Sequence, residues 1–345
     1  MKKKLLMCVA TIMTMTTLLV GCQKTEEKKT EETNTVQEEV KVSYPVTVTD
    51  QLGREVTIEK EPETLVSGYY ISTSMLIALD EEDNLVGIEA KADKRNIYKL
   101  SAPELIELPS VGTAKEFDLE GCAALKPDLV ILPAKLKSVI PSLEELGITV
   151  LAVNPENQEL LEDALMLLGT ATNSKERAEG ILKYTDEKLD ELESALKDTE
   201  KPNVYLAGNS AFLSTAGASM YQNNLIENAG GKNVAEELQD TYWADVSYEQ
   251  VIAWQPDYVI MASDANYTQD SILTDENLAN CNFVSDKHVY QFPNTIEAWD
   301  SPLPGSVLGN LWLASVLHPE EYTEKQYKDA VIEFYETYYD FTPEI

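Results

Sequence analysis

The chain has 345 residues and a formal net charge of −33, with 60 acidic and 27 basic side chains. Nucleic acid binds to basic surfaces, so this excess of acid argues against a nucleic-acid partner, and it also predicts repulsion from anionic lipid head groups. The chain has only two histidines, His288 and His318, which disfavours hydrolytic catalysis and a histidine-rich site for a bare metal ion.

The first residues predict export. Lysines at positions 2–4 precede an uncharged stretch over residues 5–19, a length that suits a secretory signal better than a permanent membrane span. The segment ends Leu19-Val20-Gly21-Cys22, which resembles the bacterial lipobox and implies cleavage before Cys22 and acylation of its sulfur. The alternative is an ordinary secretory signal that contains a cysteine. We interpret residues 1–21 as a lipoprotein signal peptide and expect a lipid-anchored protein on the extracytoplasmic face of the cell membrane.

Residues 22–45 predict an acidic, flexible tether. They are rich in Glu, Lys and Thr and hold few large apolar side chains, so they cannot bury enough surface to offset the entropy of ordering. The remainder, about 300 residues, is enough for two domains of ordinary size.

Past the tether, the apolar pattern predicts alternating strands and helices. Residues 46–58 read VTVTDQLGREVTI, in which two alternating runs flank a turn and predict a hairpin. Short apolar runs then alternate with helical segments up to residue 172, with strands expected at 65–67, 85–88, 129–132 and 149–153. This alternation is typical of a parallel sheet covered on both faces by helices.

One long helix is predicted over residues 173–198. Its apolar residues follow a 3.6-residue period from Ala178 to Leu196, and Asn173 with Glu176 resembles a capping box. Such a helix spans roughly 35–40 Å, long enough to connect two lobes. The strand–helix alternation restarts at residue 199 and continues to 345.

Two segments on either side of this helix repeat each other. Lys126-Pro127-Asp128-Leu129-Val130 and Gln255-Pro256-Asp257-Tyr258-Val259 each follow a helical segment that carries a glutamate, Glu120 in the first and Glu249 in the second. We predict an α/β fold with two Rossmann-like lobes, residues 46–172 and 199–345, joined by the single long helix with a ligand cleft between them.

The chain resembles the periplasmic binding proteins that serve ABC importers of iron–siderophore, haem and cobalamin. The resemblance covers residues 46–340 and rests on stretches such as Thr49–Val56, Ala124–Val130 and Ala229–Val234. It implies a monomer without a cofactor that captures a small molecule between its lobes and docks on a permease dimer. By position in the family pattern, Glu120 and Glu249 are the two docking residues. Alternatively, both are ordinary solvated glutamates near helix N-termini.

Ligand contacts are expected in the loops beyond the carboxyl ends of the strands, where open α/β sheets bind ligands. The candidates are aromatic side chains able to stack on a chelate, basic side chains able to hold oxygen anions, and one loop acid: Tyr69, Tyr70, Tyr221, Trp243, Trp299, Lys94, Arg95, Lys115, Lys135 and Asp300. If the basic residues converge, the ligand is an anionic, oxygen-rich metal complex of the iron–siderophore type. The alternatives are that Lys91 to Lys99 form a solvated loop and that the aromatic residues belong to the core.

Other ligands and functional classes remain as alternatives. The ligand alternatives are cobalamin, haem or an oxyanion, although Ala114 stands where the cobalamin-binding branch has a tryptophan. No Gly-x-Ser-x-Gly, HExxH or P-loop sequence occurs, which disfavours an enzyme. A sensory or adhesive lipoprotein would share the cleft but have no permease. Cys122 and Cys281 are expected to be free thiols.

Overall fold

The computed structural model describes residues 41–239 and 243–345. The predicted signal peptide, Cys22 and the tether up to residue 40 lie outside these ranges. The tether was predicted to extend to residue 45, but its last part is docked: the Val42 amide donates to Asn173 Oδ1 and the Tyr44 hydroxyl to the Ala171 carbonyl. Within the described ranges, no helix combines the length and the apolarity needed to cross a bilayer.

The predicted hairpin is present and is held to the fold by a buried aspartate. Strands β1 (Val46–Thr49) and β2 (Glu55–Ile58) pair antiparallel. Asp50 follows β1 and is 3% exposed. Its carboxylate accepts from the Arg54 guanidinium at 2.6 and 2.9 Å and from the Ala152 amide at 3.1 Å. Arg54 also donates to the Val150 carbonyl, so this ion pair joins the hairpin to the edge of the neighbouring sheet.

The first lobe is built on a four-stranded parallel sheet. Its strands are β3 (Leu65–Ser67), β4 (Leu85–Gly87), β5 (Leu129–Pro133) and β6 (Thr149–Val153), in the order β4-β3-β5-β6. Its helices are α1 (Tyr70–Ala78), α2 (Asn96–Ser101), α3 (Leu119–Ala124), α4 (Ile140–Glu145) and α5 (Gln158–Ala171). Every residue of β5 is buried, as expected for a parallel strand with both faces covered.

The second lobe repeats this plan. Its main sheet contains β7 (Asn203–Ala207), β9 (Lys232–Asn233), β11 (Tyr258–Met261) and β12 (Val289–Gln291) in the parallel order β12-β11-β7-β9, while β8 (Ser214–Thr215) pairs with β10 (Ala244–Asp245). Its helices are α7 (Tyr221–Asn228), α8 (Tyr248–Trp254), α9 (Gln269–Leu273), α10 (Asn282–Ser285) and α11 (Val307–Leu317). The two-lobe α/β prediction is confirmed.

The repeated Pro-Asp segments perform the same task in both lobes. Lys126 and Gln255 follow helices α3 and α8 and have φ of 54° and 50°, in the left-handed region. After the proline, Asp128 accepts from the Glu63 amide at 3.1 Å and Asp257 accepts from the Asn203 amide at 2.8 Å. Each aspartate therefore satisfies a backbone donor at the start of the adjacent strand, which explains why the sequence repeats.

Helix α6 (Lys175–Leu196) is the predicted long helix, and its 22 residues span about 33 Å. The capping-box prediction for Asn173 was wrong. Asn173 has a φ of 66° and donates to Glu61 while accepting from Val42, so its side chain ties the entering chain to the helix instead of capping it. The residue before the helix is Ser174, which makes no side-chain cap hydrogen bond.

The last helix, α12 (Glu324–Tyr338), returns toward the first lobe. Tyr184 on α6 donates to the Ala330 carbonyl at 3.0 Å, and Ser101 on α2 donates to the Tyr339 carbonyl at 2.7 Å. One continuous apolar core contains the inner face of both main sheets, including Leu129 and Val204, together with α6, α11 and α12. The predicted boundary at 199–345 therefore differs from the packing, because the final helix belongs to both lobes.

Candidate functional site

The cleft lies where loops after the carboxyl ends of both sheets meet. It contains two adjoining chambers, both of which are lined by Tyr70 and Asp264. The first, called here the arginine chamber, encloses about 510 Å³ and is lined by Ser74, Lys94, Arg95, Asn96, Ile97, Tyr98, Asn294, Ile296, Glu297, Ala298 and Leu303 in addition to these two. The second, called here the aromatic chamber, encloses about 830 Å³. Both volumes include space that opens to solvent.

Arg95 is the positive group best placed to meet a ligand. Its guanidinium carbon lies 4.1 Å from the centre of the Tyr70 ring, a cation–π contact that fixes its position. Among the described residues, its buried Nε has no hydrogen-bond partner, and no carboxylate lies within ion-pair distance of its guanidinium. Lys94 lines the same chamber but is exposed and paired with Asp93 at 3.1 Å. Arg95 therefore retains donors for an incoming anion.

A buried carboxylate lies behind Arg95. Glu89 accepts from the Thr73 hydroxyl at 2.7 Å and from the Tyr98 hydroxyl at 2.8 Å. Burial raises the pKa of Glu89 above its usual range, and the hydrogen bonds from Thr73 and Tyr98, with a smaller contribution from the charge of Arg95, oppose that rise. The first-lobe wall of the chamber is thus a connected polar network and not a loose loop.

A second buried carboxylate closes the opposite wall. Glu297 accepts from the Ser74 hydroxyl at 2.6 Å and from the Tyr335 hydroxyl at 3.0 Å. Full burial raises the pKa of Glu297 to about 7, and these two hydrogen bonds oppose the rise. Ser74 lies on α1 and Glu297 lies on a second-lobe loop. This hydrogen bond therefore joins the two lobes in the wall of the arginine chamber.

The aromatic chamber combines rings, amides and carboxylates. Its lining comprises Tyr69, Tyr70, Ile71, Glu156, Asn209, Met220, Tyr221, Gln222, Trp243, Ser263, Asp264, Asp300, Ser301 and Pro302. Tyr69 and Tyr70 meet edge to face with ring centres 5.2 Å apart. Burial raises the pKa of Tyr69 well above its usual range, with smaller contributions from the charges of Tyr70 and Glu156. Its phenol is therefore a neutral hydrogen-bonding group at any physiological pH.

Asp300 is held in the wall of the aromatic chamber by its own lobe. Its carboxylate accepts from the Ser263 amide at 3.0 Å and from the Ser263 hydroxyl. Burial raises the pKa of Asp300 above its usual range, and the Ser263 hydrogen bonds oppose the rise. The structure thus assigns Asp300 a role in shaping the loop after β11, in addition to its place in the chamber wall.

Seven of the ten predicted ligand residues lie together in the cleft: Tyr69, Tyr70, Lys94, Arg95, Tyr221, Trp243 and Asp300. Lys115 and Lys135 are exposed and line neither chamber. Trp299 is 1% exposed, and its indole donates to the Tyr335 hydroxyl at 2.8 Å. The expectation that it faces the ligand is corrected, because its polar atom is satisfied inside the core.

The sequence prediction omitted several polar residues that line the cleft. Asn209, Asp264 and Glu297 lie in the strand-end loops 208–210, 262–264 and 294–304, where ligand contacts were expected, but they were not singled out as individual candidates. Glu156 follows strand β6, so the same rule could have found it, whereas Gln222 lies on helix α7 and carries no such signal. The Lys91–Lys99 segment was expected to be a loop, but it contains a 3-10 helix (Ala92–Lys94) and α2.

The two glutamates assigned to docking are exposed and occupy equivalent positions. Glu120 lies in the first turn of α3, after the N-cap Asp118, and Glu249 lies in the first turn of α8, after the N-cap Ser247. Hydrogen bonds from the Glu249 backbone and from Ser247 lower the pKa of Glu249, so it is charged at neutral pH. Neither side chain lines a chamber of the cleft.

The remaining candidate reactive groups serve the fold. His318 is buried against the Gly230 carbonyl, and His288 stacks on Tyr258 with ring centres 4.4 Å apart. Cys122 and Cys281 are free cysteines, as expected. In the part of the chain that the structure describes, no three His, Cys, Asp or Glu side chains are grouped so as to hold a metal ion.

Comparison with known proteins agrees with this architecture. A family model described as periplasmic binding protein matches residues 65–295. The molybdate-binding protein MolA of Haemophilus influenzae is 26% identical over 321 residues, which cover 85% of this chain and 90% of that protein. The uncharacterized ABC transporter substrate-binding lipoprotein YvrC of Bacillus subtilis is 26% identical, covering 73% of this chain and 78% of its own length.

Solved structures give the same result. A periplasmic solute binding protein from Veillonella parvula superposes with a TM-score of 0.75 at 27% identity, over 87% of this chain and 94% of that one. MolA with bound molybdate gives a TM-score of 0.75 at 24% identity, over 87% of this chain and 99% of that one. With a family match over residues 65–295 and two lobes around a solute-sized cleft, the chain belongs to the periplasmic binding protein family.

Proposed function

We propose that this protein is the non-catalytic solute receptor of an ABC importer and captures an oxygen-rich, anionic metal complex of the iron–siderophore type. The observation that carries the proposal is Arg95, fixed over the Tyr70 ring and left without a carboxylate partner among the described residues. A guanidinium in this state binds carboxylate, catecholate or other oxygen anions through charge-assisted hydrogen bonds. Tyr69 and Tyr70 add phenol donors and a ring surface beside it.

Native mass spectrometry tests this proposal directly. Protein purified from its own host is expected to carry a small bound mass that contains a metal, and Arg95→Gln should lose it. The control is Lys135→Gln, which removes the same charge from an exposed residue outside the cleft. If Arg95→Gln keeps the bound mass as well as Lys135→Gln does, Arg95 is not the anion contact.

A tetrahedral oxyanion is the second candidate ligand. It is favoured by the similarity to MolA, which is named a molybdate-binding protein and matches over 85% of this chain. Such an ion would occupy only a small part of the two chambers. Titration calorimetry with sodium molybdate distinguishes the two candidate ligands. If molybdate binds tightly and saturably and prevents ferric complexes from binding, the oxyanion replaces the metal complex as the proposed ligand.

We also propose that a lipid on Cys22 anchors the protein and that Glu120 and Glu249 dock one on each permease subunit. The similarity to YvrC, which is named a lipoprotein, supports the anchor. Both glutamates are exposed and lie outside the cleft. A single molecule could therefore bind its solute with one surface and the permease with another, which supports docking as a monomer. Loss of solute uptake after deletion of the gene would separate an importer from a sensory or adhesive lipoprotein, whose deletion leaves uptake unchanged.

A further inference from the structure

The aromatic chamber differs from the arginine chamber in charge, because the basic side chains Lys94 and Arg95 line only the arginine chamber. Glu156, Asp264 and Asp300 line the aromatic chamber, and none of the described residues in its wall is a lysine, arginine or histidine. Glu156 comes from the first lobe and Asp264 from the second, and both side chains are exposed to the cleft. A wholly anionic solute would therefore be attracted to Arg95 and repelled by the neighbouring chamber.

The amides of this chamber also leave oxygen acceptors without donors. Gln222 Nε2 donates to the Asp300 carbonyl at 2.8 Å, which fixes the orientation of the amide because its oxygen cannot bond there instead. Gln222 Oε1 is consequently buried without a partner among the described residues, and Asn209 Oδ1 is in the same state. Leaving such acceptors unsatisfied is costly, so a ligand that brings N–H donors gains from both.

The rings complete this pattern. Tyr69, Tyr70, Tyr221 and Trp243 line the chamber, and the Tyr221 hydroxyl is already bonded to Ser306 Oγ at 2.6 Å. Aromatic faces combined with carboxylates are the surroundings that bind ammonium groups, through the ring quadrupole and direct charge attraction. Rings, carboxylates and unpaired amide oxygens thus all favour the same kind of group.

We infer that the aromatic chamber binds an ammonium or other N–H-donating, positively charged part of the solute, so that the cleft accepts a bipolar ligand whose oxygen anions face Arg95. This inference rests on the proposed capture of a metal complex and narrows its chemical class. It predicts that, among complexes with the same metal centre, a pendant cationic arm increases affinity.

A matched pair of ferric trishydroxamates tests the inference. Ferrioxamine B carries a pendant primary ammonium, and N-acetyl-ferrioxamine B has the same iron centre with the charge removed. Quenching of tryptophan fluorescence should show about tenfold tighter binding of the ammonium form, the size expected for one partly screened charge pair. The double variant Glu156→Gln, Asp264→Asn should lose most of this preference. The control Glu145→Gln, Asp270→Asn, which removes two exposed charges away from the cleft, should keep it.

Equal affinity for the two complexes, tighter binding of the acetylated form, or no binding of ferrioxamine B at millimolar concentration would each overturn the inference. Retention of the full preference in the Glu156→Gln, Asp264→Asn variant would also overturn it, because the two exposed carboxylates of the chamber would then contribute nothing to holding the cation. The capture proposal is assessed separately by native mass spectrometry of wild type and Arg95→Gln. A bound metal complex without a cationic arm would leave that proposal standing and reject this one.

Discussion

Ser74 and Glu297, separated by 223 residues in the sequence, share a buried hydrogen bond of 2.6 Å. Ser74 belongs to the first helix of one lobe and Glu297 to a loop of the other, and Tyr335 completes the contact from α12. The three elements therefore meet at a single carboxyl group. A change in the charge of Glu297 therefore changes the free energy of unfolding, because it alters the contact among all three elements.

The first prediction concerns the pH dependence of stability. Burial raises the pKa of Glu297 from 4.5 to about 7, so the folded protein binds this proton more tightly than the unfolded chain does. Its contribution to the free energy of unfolding is complete below about pH 4.5 and is lost as the pH rises to about 7. The loss is at most about 1.4 kcal/mol per pH unit across this window. Urea unfolding at several pH values should show it.

The readout is the difference between wild type and Glu297→Gln, since burial also raises the pKa of Glu81 to about 7 and adds its own slope. Glu297→Gln should flatten the profile between pH 4.5 and 7, whereas Glu320→Gln, at an exposed position, should leave it unchanged. Parallel profiles for wild type and Glu297→Gln would mean that Glu297 does not take up a proton on folding in this range.

The second prediction concerns the hairpin. Asp50→Ala removes the buried partner of Arg54 and leaves the Ala152 amide without its acceptor. We expect a loss of about 2–4 kcal/mol in the free energy of unfolding, the size typical of breaking a buried, hydrogen-bonded ion pair. Glu144→Gln, which breaks the exposed ion pair of Arg54, should cost less than about 1 kcal/mol. Similar small losses for both variants in denaturant unfolding would contradict this.

The third prediction concerns docking. Replacing both Glu120 and Glu249 by Arg should abolish uptake in cells, because repulsion replaces attraction at each proposed permease contact. Ligand affinity and melting temperature should hardly change, since both side chains are exposed and outside the cleft. The control places the same charge changes at Glu179 and Glu187, which are exposed on α6. Normal transport by the Glu120, Glu249 variant would reject the docking assignment. Lost ligand affinity would show instead that these glutamates contribute to the cleft.

The fourth prediction distinguishes two of the four tryptophans, Trp243 and Trp299. Trp243 lines the aromatic chamber, whereas Trp299 is buried and donates to the Tyr335 hydroxyl. Trp243→Phe should remove most ligand-induced quenching of fluorescence. Trp299→Phe should keep that quenching but lower stability by about 1–3 kcal/mol, through a lost hydrogen bond and poorer packing. Quenching that disappears only in Trp299→Phe would place the ligand against the core side of the loop.

The fold was predictable because its signals are local. Apolar runs such as Leu129–Leu132 are typical of a strand covered on both faces, and the repeated Pro-Asp segments mark the same turn in each lobe. Helix α2 was missed because the basic residues between Lys91 and Lys99 were interpreted as a loop. The capping-box pattern at Asn173 failed because Val42 and Glu61, both distant in sequence, bind its side chain.

The cleft was only partly predictable. Tyr69 and Tyr70 directly follow strand β3, so their position at the strand end indicated the site. Trp299 was predicted incorrectly because Tyr335, 36 residues later, satisfies its indole nitrogen, and no sequence pattern reveals that pairing. The acidic lining of the aromatic chamber depends on Glu156 and Asp264 reaching one chamber from different lobes, which requires the fold.

The return of α12 to the first lobe has a consequence for how the molecule is made. Ser101 and Tyr184 receive their partners from the last segment of the chain, and Leu129 shares a core with α12. When synthesis or translocation delivers the chain from its N-terminus, the first lobe keeps apolar surface uncovered until residues 324–341 emerge. Folding of the first lobe is then coupled to the arrival of α12, and protection from aggregation during that interval becomes part of the biogenesis of this protein.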